Sequence, residues 1–268
     1  MRHFFRLWAV EFVLLLVVLV SMSSLLPVEK IFARSQASRA GEMVELMSSG
    51  SGIMNAVVYD VTHQRYFSYN TPSQFVAASS VKVPIMMTFL DMVERQSREI
   101  SGHEMQLLTT MIENSNNDSA SALYGEVRGA AGVEQFMQSV GIGGLIPYAR
   151  AWGWSLITPL TMVKLMTCLY NGCALTERHR QLALYLMEHV EPDQQVGVGD
   201  TAPAGATVAM KDGWVVAPDG LWAVNSSGIV MAGGETYIIA VYTKEEPSLQ
   251  AGQNVVRQVC RMVASKLL

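Results

Sequence analysis

The chain has 268 residues, half of them hydrophobic and 16% charged, with a formal net charge of −4 at pH 7. That length supports a substantial core in one large domain or two joined halves, and the apolar content excludes a disordered chain. The acidic balance, with no run of lysines and arginines, excludes a basic nucleic-acid-binding face, so no nucleic-acid partner is expected.

The apolar stretch from Leu7 to Val28, broken only by Glu11 and a few serines, is long enough to cross a bilayer as a helix. It reads as an uncleaved membrane anchor in preference to a cleaved signal peptide, although Arg2 and Arg6 provide a basic n-region. Basic residues flank both ends, so their count does not set the orientation. Residues 1–37 are therefore expected to be anchor and linker, and residues 38–268 the folded domain.

Within that domain a short helix is expected over 38–49, ended by the Gly-Ser cluster at 50–52. The β-branched and aromatic runs at 53–61 and 65–70, joined by Thr62-His63-Gln64, predict a hairpin. From Val81 the period becomes helical, and Pro84 is tolerated in the first turn. Further helices are predicted over 104–112, 117–127, 132–139, 158–171 and 176–189. Strands return at 205–214, 221–232 and 236–243, and a helix over 249–267 carries an apolar stripe of Val255, Val256, Val259, Met262 and Val263.

Strands at both ends of the domain predict one antiparallel sheet, with the first hairpin joining the last three strands. The fold class is α+β, an α/β sandwich: a five-stranded antiparallel sheet with flanking terminal helices (38–70 and 200–268) and an inserted all-helical part (79–190).

Cys168, Cys173 and Cys260 cannot all pair with one another, and read either as small buried hydrophobes or as one disulfide plus a free thiol. His3, His63, His103, His179 and His189 are scattered without ligand spacing, so neither a metal nor another cofactor is expected.

The candidate chemistry begins at Ser79-Ser80-Val81-Lys82. A serine and a lysine at i and i+3 share a helix face, close enough for the amine to reach the hydroxyl. Serine is a weak nucleophile until a base accepts its proton, and a lysine serves only if its pKa is depressed. A helix N-terminus also favours a developing oxyanion. Two further stretches lie downstream: Ser115-Asn116-Asn117 at a turn opening a helix, and Lys211-Asp212-Gly213 at a strand end.

In that order the three stretches resemble the SxxK, SDN and KTG signatures of the class A β-lactamases and penicillin-binding proteins. The resemblance covers the domain from about residue 38 to the end, including the order of strands and helices. It implies that Ser79 is acylated, that Lys82 is its base partner, that Ser115 relays a proton to the leaving nitrogen, and that Lys211 poises both by its charge. It further implies that Asn117 holds the substrate amide and that the backbone N–H groups of Ser79 and Trp214 form the oxyanion hole. Asp212, Gly213 and Trp214 are grouped with Asn117 as substrate-binding positions.

The pattern also departs from the family. Asp212 replaces the Thr or Ser whose hydroxyl binds a substrate carboxylate, and no Lys or Arg occurs between Asp212 and Thr243. The stretch that should carry the deacylating glutamate reaches Thr158-Pro159 without an acidic residue, which predicts a persistent acyl-enzyme. Trp152 and Trp154 read as pins for a short loop in preference to walls of a substrate pocket, Glu113 as a solvated charge at a helix end in preference to a substitute base, and Asn116 as a structural turn residue.

The expected function is that of a serine hydrolase acylated at Ser79, acting on the amide of a β-lactam or a peptidoglycan-type peptide. The alternative is a membrane-anchored module that binds penicillins or cell-wall fragments without hydrolysis. Such substrates imply an extracytoplasmic domain, expected to be monomeric, that meets the membrane through residues 7–28.

Overall fold

The computed structural model describes residues 52–70 and 73–267. The expected anchor at 7–28 and the expected helix at 38–49 lie outside the described residues, and among the described residues no helix is long and apolar enough to cross a membrane.

Strand β1 (Ile53–Asp60) turns into β2 (Arg65–Tyr69), as the alternation predicts. After the two-residue strand β3 (Phe75–Val76) comes a 3₁₀ turn, Ala78–Val81, that runs directly into helix α1 (Lys82–Arg95). The helical part continues with α2 (Gly102–Glu113), α3 (Asn117–Glu126) and α4 (Gly129–Ser139). Strands β4 (Leu145–Ile146) and β5 (Leu156–Ile157) bracket a loop, and α5 (Pro159–Asn171) and α6 (Glu177–Glu188) follow. The chain closes with β6 (Thr207–Val216), β7 (Trp222–Ala232), β8 (Glu235–Glu246) and α7 (Leu249–Leu267).

The five long strands form one antiparallel sheet in the order β2-β1-β8-β7-β6, so β1 pairs with β8 and the hairpin does join the final meander. Strands β7 and β8 are buried along most of their length without alternation, because both faces of the sheet are covered. Helix α7 packs on β7 and β8 and buries Val256, Val259, Cys260 and Val263; α5 packs on β1, β7 and β8. Val255 and Met262, expected on the buried stripe, are only half-buried, and Gly252 and Cys260 take their share of the contact face.

Helix starts follow local chemistry. Ser101 and Glu104 form a reciprocal capping box at α2, Asn116 accepts from the Ser119 N–H at α3, and Thr158 with Pro159 opens α5. Among the boundaries that shift from expectation, three have a distinct local cause. Helix α4 begins at Gly129, earlier than residue 132, and Gly132 sits where a Cβ would lie 1.6 Å from the Val127 carbonyl oxygen, a crossing only glycine allows. Strand β6 begins at Thr207 because Pro203–Ala206 is a turn, closed by Ala206 N–H donating to Pro203 O at 3.1 Å. Strand β8 extends through the charged Lys244-Glu245-Glu246 because Lys244 pairs with Ile53 and Glu246 with Trp222. The small sheet β3-β5-β4 was not foreseen, since two-residue strands carry no period.

Cys168 and Cys173 form a disulfide around the left-handed Gly172 that ends α5, and Cys260 is a buried free thiol. Closing so short a loop restricts the unfolded chain by about 2 kcal/mol. A Cys168→Ser/Cys173→Ser double variant is expected to melt roughly 4–8 °C lower than the parent, measured by circular dichroism in non-reducing buffer.

Candidate active site

The turn carrying Ser79 is held under strain by several hydrogen bonds. Ala78 adopts a left-handed backbone (φ 47°), a conformation that costs a non-glycine residue on the order of 1–3 kcal/mol. Around it, Ala77 N–H donates to Ser155 O at 2.8 Å, while Ala77 O accepts from Ser80 Oγ at 2.7 Å and from Asn225 Nδ2 at 2.9 Å. Ser80 Oγ also lies 2.8 Å from the buried Tyr242 hydroxyl. The edge strand β6 closes against this turn at Gly213, where a Cβ would fall 2.6 Å from Ser79 N and 2.9 Å from Ser80 N. Gly213 therefore acts by close approach of backbone to the Ser79 turn.

One turn along, the Lys82 side chain is fully buried, and its Nζ meets four oxygens: Ser79 Oγ at 3.0 Å, Ser115 Oγ at 3.0 Å, Ser115 O at 2.5 Å and Asn117 Oδ1 at 2.9 Å. Ser115 reaches this position from the α2–α3 turn through a left-handed backbone of its own (φ 56°), and Asn117 is the first residue of α3. Burial, reinforced by repulsion from Lys211 and partly offset by Asp212, lowers the Lys82 pKa to about 7. A neutral amine at that position donates two N–H groups to carbonyl-type oxygens and keeps a lone pair for the Ser79 proton. Ser79 and Lys82 of the SxxK stretch are thus joined by a direct hydrogen bond.

From the sheet, Lys211 and Asp212 contribute a fully buried ion pair, with Nζ 3.2 Å from Oδ1. Burial raises the Asp212 pKa to about 6 and lowers that of Lys211. The expectation that the Asp212 side chain touches substrate is corrected here: its carboxylate is turned into the protein, where Oδ2 accepts from the Val196 N–H at 3.1 Å. A carboxylate in this dry position is stable only beside Lys211. Trp214, half-buried, follows Gly213 on the same strand.

Two other sequence readings meet different outcomes. Glu113 ends α2 with its pKa raised by burial, and the charges that act on it are those of His189 and Glu191, so it stands among helix-end charges. Trp152 does pin its loop, donating from Nε1 to Ser121 Oγ at 3.1 Å, but its ring also lies 5.1 Å from Lys82 Nζ. It stands beside the site as well, so the pocket-wall reading that the sequence ranks second to loop pinning holds together with the pinning. Asp60, His63 and Glu235 have donor atoms close enough to share a cation; Asp60 there is already engaged by Arg65 at 2.6 Å.

The sequence pattern of the β-lactamase enzyme family matches residues 39–104 and 104–267. The chain belongs to that family. Its fold is similar to that of a β-lactamase from Chitinophaga pinensis DSM 2588 (TM-score 0.77, 20% identity, covering 84% of this chain and 98% of that one). It is also similar to TLA-1 extended-spectrum β-lactamase (TM-score 0.79, 18% identity, 87% and 99% covered). A third similar fold is the chromosome-encoded β-lactamase of Vibrio parahaemolyticus (TM-score 0.74, 16% identity, 85% and 98% covered). No match is found among curated protein sequences. The chain is a β-lactamase-like serine hydrolase, and the serine, lysine and turn residues that the resemblance singled out meet in one place.

Because Asp212 offsets the charge of Lys211 and raises the pKa of Lys82, Asp212→Asn is expected to act in two ways. It destabilises the fold by about 3 kcal/mol in urea unfolding, since Lys211 is left buried and unpaired. It also shifts the pH midpoint of the Ser79 reaction downward, because removing a negative charge lowers the Lys82 pKa.

Proposed function

We propose that the protein captures the amide of a β-lactam or a peptidoglycan-type peptide by acylation at Ser79 and releases the acyl group slowly. The observation that carries this reading is Lys82 Nζ standing 3.0 Å from both Ser79 Oγ and Ser115 Oγ. Ser79 Oγ attacks the carbonyl carbon as its proton passes to Lys82 Nζ. Lys82 returns the proton through Ser115 to the departing nitrogen as the C–N bond breaks, leaving an ester on Ser79. The Ser79 and Trp214 amides, where the nucleophile turn meets the edge strand, are assigned to the carbonyl oxygen, and the exposed Asn117 to the substrate amide.

Hydrolysis of the ester then needs an activated water, and residues 135–176 contain no aspartate or glutamate to activate one. The site therefore favours capture over turnover. With Asp212 turned inward, position 212 offers no hydroxyl to a substrate carboxylate, which favours substrates not held through that group. We place the domain outside the cytoplasm, tethered through residues 7–28 and monomeric; the apolar stretch and the Cys168–Cys173 disulfide support an oxidising location.

Intact-mass measurement after exposure to a penicillin is expected to show one acyl adduct, localised to Ser79 by peptide mapping and absent in Ser79→Ala. An unmodified protein that also fails to turn over a chromogenic cephalosporin overturns the reading. Since Lys82 serves as base only when neutral, the acylation rate is expected to rise with pH through about 7 and level off above it, as read by stopped-flow labelling.

A further inference from the structure

We propose that Trp152 is the shield that keeps water from the acyl-enzyme, so that the lifetime of the adduct is set by one indole ring. The inference rests on the acylation reading above and extends it to a residue outside the three motifs.

The loop between β4 and β5 is tied to the nucleophile at several points. Strand β5 pairs with β3, immediately before the Ser79 turn, and Ser155 O accepts from the Ala77 N–H at 2.8 Å. The fully buried Ser155 also accepts from the Tyr148 N–H at 3.0 Å, and Tyr124 OH donates to Tyr148 O at 3.1 Å. Trp152 sits in the 3₁₀ turn of this loop, with its Nε1–H fixed on Ser121 Oγ, which itself donates to Asn117 O at 2.8 Å. The ring is thereby locked at its polar end, and its position 5.1 Å from Lys82 Nζ follows from two elements at once.

The chemistry of that position is decided by what an indole lacks. Its only polar atom is a donor, and Ser121 already takes it, so the ring can neither accept a proton from water nor orient one. The ring also lines a cavity of about 490 Å³ bounded by Tyr124, Ala149, Arg150, Gly153 and Trp154. Trp152 therefore partitions the catalytic lysine from a solvent-open space. In hydrolysis, a water oxygen would bond to the ester carbon, pass a proton to a base, and break the bond to Ser79 Oγ, which recovers a proton. In this proposal that water comes from the cavity side, past the indole.

The experiment follows adduct mass against time after a penicillin pulse in the parent, Trp152→Ala, Trp152→Phe and Trp152→Glu, with the acylation rate measured in each. Opening the partition in Trp152→Ala is expected to speed loss of the adduct that has formed by about tenfold or more, whatever its acylation rate, while Trp152→Phe, which keeps a ring, stays near the parent. A carboxylate in Trp152→Glu is expected to speed loss by roughly a hundredfold, the lower end of what a general base contributes. Equal lifetimes in the parent and Trp152→Ala overturn this inference alone. Absence of any adduct in the parent overturns the acylation reading and this inference with it. Should Trp152→Ala fail to fold, the comparison of Trp152→Glu with Trp152→Phe decides: adduct loss no faster in the former overturns the proposal.

Discussion

The site is organised around one desolvated amine. Lys82 brings a group that ordinarily prefers water to a place where its Nζ meets only protein oxygens, and those oxygens come from separate segments: the Ser79 turn, the α2–α3 turn and the start of α3. Burying an ammonium is costly, so the arrangement persists because the fold saturates the amine with acceptors and allows it to be neutral near pH 7. The same desolvation that makes the lysine expensive makes it a usable base. Much of the surrounding geometry, including the strained Ala78 and the left-handed Ser115, serves to hold those acceptors in range.

The second buried cation, Lys211, explains why a carboxylate stands where the family pattern has a hydroxyl. With Asp212 directed inward, the strand carries its own counter-charge, and the pair modulates Lys82 from beneath. The consequence is a division of labour on β6: Lys211 and Asp212 work through charge, and Gly213 works through the close approach of backbone to the nucleophile turn.

The loop bearing Trp152 separates two activities that such a site can combine. Attack on an amide needs the serine, the lysine and a relay; release of the ester needs a water and something to activate it. The first set is present and hydrogen-bonded, whereas the loop beside Lys82 presents an aromatic ring in place of a proton acceptor. On the proposed reading the chemistry is biased toward holding what it captures, through a side chain outside the sequence motifs.

Much of the architecture was legible in the sequence, because alternation and helical period are consequences of burial on one face and survive in the residue order. The β1–β2 hairpin, the final meander and α7 follow from that rule, and spacing alone puts Ser79 and Lys82 on one turn. Of the residues the motifs named by resemblance, Ser115 and Asn117 meet Lys82 Nζ directly, and Lys211 acts on Lys82 through its charge. What residue order could not contain was direction in space. Asp212 facing inward, Trp152 lying over Lys82, and the small sheet that ties its loop to the nucleophile each depend on contacts between segments tens of residues apart. A sequence states which groups exist and at what local spacing; only the folded chain decides which of them share a dry space, and here that sharing sets the pKa of Lys82.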